Sequence, residues 1–377
     1  MPALFEVRSA AGPAYAVKVE RGGLAAAMPR MNGGEGTDGG GTGGGGVVVA
    51  DDHFAALFEA RGVPAIALPA TEATKSLDSI GEVVVRLRRA GATRGTHLWA
   101  VGGGAIQDAA AFVASIYMRG IAWTYVPTTL LGMVDSCIGG KSSVNVGAYK
   151  NIVGTFHPPR AVLVDPTLTA TLTAEQRVAG LAEAAKITFC RGPEAFREYL
   201  SHDPRPGMAP EAFEPVIALS LASKRWFVEV DEFDRAERLL LNLGHTFGHA
   251  LEGASGYRLA HGVAVGVGVL CALAMSRATA GPDGPPGGEA ARLEAHMRGL
   301  LAELPDLPGV LRGVDLAATL DRLRADKKHE AAHYRFVLVD PSGAARLVRL
   351  PRSEAADRAA EAALRDTLDS LTAAQHA

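Results

Sequence analysis

Five short apolar runs in the first half of the chain limit the fold more than any other feature: "VVVAD" (47–51), "AIAL" (65–68), "HLWAVGGG" (97–104), "IAWTYVPTT" (121–129) and "AVLVD" (161–165). Each is short for a helix and nearly continuous in apolar residues, as strands buried on both faces of a parallel sheet are. Helical periodicity separates several of them, as in "SIGEVVVRLRRAGA" and "IQDAAAFVASIYMRG". Strand and helix in alternation predict a mostly parallel, Rossmann-like sheet wrapped by helices. From about residue 174 the pattern changes to longer amphipathic segments, "AEQRVAGLAEAAKITFC" and "PVIALSLASKRWFVEV" among them, with few strand candidates. The second half should be largely α-helical. The turn-rich stretch "FHPPRAVLVDPTLTATLTAEQ" lies between, which divides the chain into an α/β domain over 1–173 and a helical domain over 174–377.

Composition excludes some partners. With 38 Lys and Arg against 41 Asp and Glu, the net charge of −3 provides no global basic field for nucleic acid or an anionic membrane, so anion binding must be local. The three cysteines, Cys137, Cys190 and Cys271, have no metal-type spacing and fit a reducing compartment. The N-terminal stretch is charged and broken by Pro and Gly, without a signal-peptide core, and no apolar run reaches about 18 residues. A cytoplasmic, non-membrane protein is expected. The Gly-rich tract 33–46 reads as a loop, "GPDGPPGG" (281–288) as a helix breaker, and the tail from Ser353 as a helix with an exposed face.

Chemistry concentrates in a few segments. "VGGGAIQD" (101–108) follows a strand and opens a helix, where glycines let the backbone approach a phosphate and the helix start offers unpaired N–H groups. It is not GxGxxG, and a tight turn is the plain alternative. "PTTLLGMVDSCIGGKSSVNVGAYKN" (127–151) gathers Asp135, Lys141, Asn145, Lys150 and Asn151 in a Gly-rich, poorly periodic stretch suited to a polyhydroxylated, anionic ligand. Glu183 and Lys186 stand one helical turn apart, which a surface salt bridge would also explain. Arg238, Asn242, His245 and His249 step by four, three and four, which aligns them on one helical face after Lys224. His261 returns after a Gly-containing turn. Three histidines can be packed polar residues, or they can hold a metal; a His₂Glu set needs Glu183 close by. The metalloprotease HExxH is absent.

Taken together, "EATKSL", "GGGAIQD", "YMRG", "PTTLLGMVDSCIGGKSSVN", "YKN", "GLAEAAK", "LLLNLGHTFGHALE", "LAHG" and "DKK" resemble, in order and over roughly residues 47 to 340, 3-dehydroquinate synthase and the wider sugar phosphate cyclases. The resemblance implies a dehydroquinate synthase-like fold, an N-terminal NAD-binding α/β domain with a helical C-terminal domain, in a homodimer. It implies NAD and one divalent metal, zinc or cobalt, as cofactors. By motif, the metal ligands would be Glu183, His245 and His261, with His249 beside the reacting centre. NAD would be met by Asp51, Glu72, Lys75, Gly103, Gly104, Asp108, Thr128 and Thr129. Substrate and phosphate would be met by Arg119, Asp135, Lys141, Lys150, Asn151, Lys186, Lys224, Arg238, Asn242 and one of Lys327 and Lys328. The implied reaction takes a sugar acid phosphate through hydride transfer to NAD, phosphate elimination, return of the hydride and intramolecular aldol closure.

Departures from the family pattern are Val263, where an acidic residue usually follows His-Gly, His53 in place of Asn, Gln107 in place of Gly, and "KSSVN" for "KTGIN". They fit a divergent relative as well as the primary enzyme. The resemblance leaves three further readings: cyclases making 2-deoxy-scyllo-inosose or a valiolone-type cyclitol, more distant metal-dependent polyol dehydrogenases, and a non-catalytic NAD-binding paralogue.

Overall fold

A computed structural model describes residues 3–32, 46–147, 149–280 and 287–373. The Gly-rich tract, apart from Gly46, and residues 281–286 of the predicted breaker lie outside them. The chain forms two compact units, one of residues 1–171 with 209–221 and the other of 172–208 with 222–377.

The first unit holds strands β1 (Ala3–Val7), β2 (Tyr15–Val19), β3 (Gly46–Asp51), β4 (Ala65–Leu68), β5 (His97–Gly102), β6 (Trp123–Pro127), β7 (Val144–Val146), β8 (Tyr149–Val153) and β9 (Ala161–Val164). Its helices are α1 (Gly23–Met31), α2 (Ala55–Ala60), α3 (Leu77–Arg89) and α4 (Gly104–Ile116). Seven strands form one sheet in the order β1-β2-β9-β6-β5-β3-β4, parallel throughout except for the β1–β2 pair. The five runs predicted as strands are five of its six parallel strands, β2 being the sixth, and β6 is buried at every residue. From β3 the chain steps outward to β4 and then returns to the other side of β3 with β5. That reversal opens a crevice at the carboxyl ends of β3 and β5, where doubly wound sheets bind ligands. Two strand pairs were not expected. β2 alternates buried Tyr15, Val17 and Val19 with more open residues, the pattern of a half-covered strand. β7 and β8 form an antiparallel pair inside the stretch read as irregular loop.

The second unit contains α5 (Ala174–Arg191), α6 (Pro193–Ser201), α8 (His245–Ala254), α9 (His261–Ala278), α10 (Glu289–Ala302), α11 (Leu307–Arg312), α12 (Leu316–Arg324) and α13 (Glu354–Ala373), while α7 (Phe213–Val230) contributes residues to both units. Thr173 starts α5 with a capping box, its hydroxyl accepting from Gln176 N while the Gln176 side chain accepts from Thr173 N. Helix α9 is long and apolar enough to cross a bilayer by length and composition, and 78% of it is buried within the protein. It is therefore the core helix of this unit. No such length was expected, because glycines and Ser276 interrupt a strictly apolar run while leaving its average hydropathy high. Against α9 packs α13, whose Ala356, Ala360, Ala363, Leu364 and Leu368 are buried, so the tail has a core face as well as an exposed one. An antiparallel hairpin, β10 (His333–Val339) and β11 (Ala345–Pro351), is the strand component of this largely helical unit.

Candidate functional site

In the first unit the expected cofactor residues gather at the carboxyl edge of the sheet. Asp51 ends β3, Gly103 and Gly104 join β5 to α4, and Thr128 and Thr129 follow β6. A methyl group on Gly103 would come within 2.8 Å of Thr129 Cγ2, whereas one on Gly104 would meet open space. The first turn of α4 thus presents its N–H groups beside an uncovered glycine, a cradle that fits a dinucleotide phosphate. Lys75 Nζ donates to Asp108 Oδ2 at 3.0 Å and to Asn151 Oδ1 at 2.9 Å, and lies 3.4 Å from Glu72 Oε1. Asn145 Nδ2 donates to Glu72 Oε1 at 2.9 Å, and Lys150 approaches the same oxygen at 3.6 Å. Burial pushes Asp108 up to about 6 even though Lys75 draws it down. Burial opposes the charge on Lys75, but Asp108 and Glu72 outweigh it and raise the ammonium above its ordinary range.

Two departures from the family pattern acquire contacts here. Gln107 Nε2 donates to Ser136 O at 2.7 Å, and Ser136 Oγ donates to Gln107 Oε1 at 2.6 Å, so the unexpected side chain ties α4 to the turn carrying Asp135. At residue 53 the backbone N–H donates to Asp51 Oδ1 at 3.0 Å, a bond that any residue there can make.

In the second unit Glu183 and Lys186 are buried side chains of α5, with Nζ 2.5 Å from Oε2, and are no surface pair. Glu183 Oε1 lies 3.7 Å from His245 Nε2 and 3.6 Å from His261 Nε2. Neither carboxylate oxygen has a hydrogen-bond partner among the described residues, although both are buried. Nitrogens of His245, His249 and His261 lie within 4.8 Å of one another. On the far side of each ring, His245 Nδ1 faces Leu243 O at 3.4 Å and His261 Nδ1 faces Glu252 Oε2 at 3.2 Å. With Nδ1 occupied, both Nε2 atoms turn toward the carboxylate. A buried carboxylate whose Oε2 is paired with the Lys186 ammonium and whose Oε1 faces two such nitrogens has the donor chemistry of a divalent metal site. Burial, Lys186 and the neighbouring imidazoles hold His245 well below its ordinary range, hence neutral. Burial disfavours the charge on His261, but the Glu252 bond and the Glu183 charge outweigh it and raise that ring.

The remaining residues divide. Lys224 and Arg238 are buried, and Arg238 donates to Glu232 O at 2.6 Å and pairs with Asp234 at 3.0 Å. Arg238 and Asn242 are not on the helix of the histidines: a 3₁₀ turn, Glu237–Asn242, ends at Gly244 (φ 79°), and α8 begins afresh at His245. The single helical face read from the four, three, four spacing is broken there, because Gly244 takes a left-handed conformation that spacing does not disclose. Lys328 is half-buried and Lys327 exposed. Lys328 helps to depress His245, and burial lowers its own ammonium. Asp135 lies on the turn Gly132–Ser136, and Lys141 Nζ stands 5.8 Å above the Phe156 ring. Arg119 stands apart from the cofactor residues: it follows the C-terminal end of α4, whereas Gly103 and Gly104 open that helix. Glu252, which the sequence reading passed over, sits seven residues beyond His245 and so on the same helical face.

Residues 65–179 match the family model of the 3-dehydroquinate synthase N-terminal region and residues 180–329 that of the C-terminal region. The 3-dehydroquinate synthase of Xanthomonas oryzae pv. oryzae (strain MAFF 311018) is 41% identical over 306 residues, 78% of this chain and 80% of its own. Among solved structures, a 2-deoxy-scyllo-inosose synthase superposes with a TM-score of 0.77 at 22% identity, covering 97% of this chain and 99% of its own. The 2-epi-5-epi-valiolone synthase of Streptomyces hygroscopicus subsp. jinggangensis 5008 does so with a TM-score of 0.76 at 26% identity, covering 97% and 100%. The architecture is that of the sugar phosphate cyclases. Within that class, the chain belongs to the 3-dehydroquinate synthase family.

Proposed function

We propose that the chain is a phosphate-eliminating lyase converting 3-deoxy-D-arabino-heptulosonate 7-phosphate to 3-dehydroquinate and phosphate. The observation that carries this is the buried Glu183 carboxylate, whose Oε1 faces Nε2 of His245 and His261 while Lys186 pairs with its Oε2. Identity of 41% to a curated dehydroquinate synthase, against 26% and 22% to the two cyclitol cyclases, favours the heptulosonate over the neutral sugar phosphates. We assign a divalent metal, zinc, to Glu183, His245 and His261, and NAD to Asp51, Glu72, Lys75, Gly103, Gly104, Asp108, Thr128 and Thr129. The valiolone synthase structure contains NAD+ and Zn2+ and the inosose synthase structure NAD+ and Co2+, which supports both cofactors. When bound, the metal would polarise the oxygen of the oxidised carbon and NAD would hold the hydride between two steps.

The protein's own residues supply positioning and charge. Lys186, Lys224, Arg238 and Lys328, with Lys141 and Lys150, are assigned to the phosphate and carboxylate of the substrate, whose dianion needs fixed cations and donors more than a proton relay. Asp135, Asn151 and Asn242 would hold hydroxyl groups. The exposed ring of His249 is depressed by its surroundings and by Lys328, so it is neutral near pH 7 and able to accept a proton from a hydroxyl. Arg119 is left out of this set, and Lys328 is preferred to Lys327. The protein is further proposed to act in the cytoplasm as a homodimer.

The test offers purified protein with zinc and NAD three substrates separately: the heptulosonate phosphate, glucose 6-phosphate and sedoheptulose 7-phosphate. Release of phosphate with formation of 3-dehydroquinate from the first alone is expected. A carbocycle from either other sugar would move the protein to cyclitol synthesis, and no turnover with any would favour a non-catalytic paralogue.

A further inference from the structure

An imidazole presents a lone pair at Nε2 only when its proton sits on Nδ1, and a carboxylate on Nδ1 fixes both that tautomer and the plane of the ring. His261 has this arrangement, with Glu252 Oε2 3.2 Å from Nδ1 and Glu183 Oε1 3.6 Å from Nε2. Glu252 lies in the last turns of α8, whose first residue is His245. One helix therefore supplies one imidazole and reaches across to orient another on the neighbouring α9. Val263, two residues beyond His261, is buried and has no polar side-chain atom to offer the ring. Behind the His245 ring, by contrast, Nδ1 faces the backbone carbonyl of Leu243 at 3.4 Å.

We infer that Glu252 is the positioning residue of His261, furnishing carboxylate support for its ring from α8. The inference rests on the proposed reading of His261 as a metal ligand. Because α8 is joined to α9 by the short segment Ser255–Ala260, the distance between support and ligand is set by helix packing and a tight connection.

The test compares wild type with Glu252→Ala and Glu252→Gln, the second keeping volume and a hydrogen-bond acceptor so that a folding failure of the first does not end the experiment. Zinc affinity is read by chelator competition without substrate, alongside NAD affinity and the unfolding temperature of the metal-free protein. Zinc binding should weaken about 10–100-fold in Glu252→Ala and less in Glu252→Gln, with NAD affinity unchanged. Wild-type zinc affinity in both variants would overturn the inference while leaving the metal assignment intact. A wild type that binds no zinc would overturn the metal assignment, and the inference with it. Equal loss of zinc and NAD affinity would show a general structural defect and would also sink it.

Discussion

A methyl group on Gly262 would stand 2.2 Å from the backbone oxygen of Ala179, so α9 and α5 touch there through backbone alone. This contact brings the start of α9, with His261, against the helix carrying Glu183. Gly262→Ala must push the two helices apart. Overpacking of this kind costs typically about 1–3 kcal/mol. The expected outcome is a lower unfolding temperature together with weaker zinc binding. An unchanged unfolding temperature would show that the helices separate freely at this point.

Removing zinc should destabilise the protein by mass action. At a free zinc concentration one hundred times Kd, a ligand that binds only the folded state contributes about 2.7 kcal/mol. Calorimetry with and without a chelator should show that difference in wild type and little of it in Glu183→Gln, which loses the carboxylate. Equal zinc stabilisation in Glu183→Gln would place the metal elsewhere.

Asp108 gives a pH-dependent signature. Its carboxyl is raised from an ordinary value near 3.8 to about 6, so between those values the folded state holds a proton that the unfolded state has released. The contribution of this group to stability is therefore present below about pH 4 and lost as pH rises through about 6. Relative to Asp108→Asn, wild type should gain stability on going from pH 7 to pH 5, by about 1 kcal/mol. Parallel stability curves for the two proteins would refute the burial argument.

Lys75 is the cation facing that carboxylate, and Lys75→Met removes the charge that draws Asp108 down, so the carboxyl must either stay charged without its cation or take up a proton. Breaking such a pair costs about 3–5 kcal/mol when fully buried, and less here because Asp108 keeps some solvent access. The loss should shrink toward pH 5 as Asp108 takes up a proton. NAD affinity should also fall, by about tenfold or more, which fluorescence titration would detect. Unchanged NAD binding would remove Lys75 from the cofactor set.

The parallel sheet was legible because strands buried on both faces write themselves as unbroken apolar runs. The β1–β2 pair was not read, since Tyr15, Val17 and Val19 alternate over only five residues in a stretch broken by Gly12 and Pro13. The histidines could be picked out by residue type and spacing. Spacing failed at Arg238 and Asn242, where one left-handed glycine resets the helical phase. The burial of Glu183 and Lys186 was equally out of reach: an acid and a base one turn apart read the same on a surface as in a core. Glu252 carried a faint signal, an acid two helical turns beyond His245, which acquires meaning only when α9 is seen to fold back against it.

His261 opens a helix buried along most of its length, and its partners stand on helices that pack against that one. The geometry of the three groups is therefore inherited from the core of the unit. On the proposed reading of these groups as ligands, a metal arriving there would meet them already in place at little cost in ordering entropy, so loading and release should proceed without refolding.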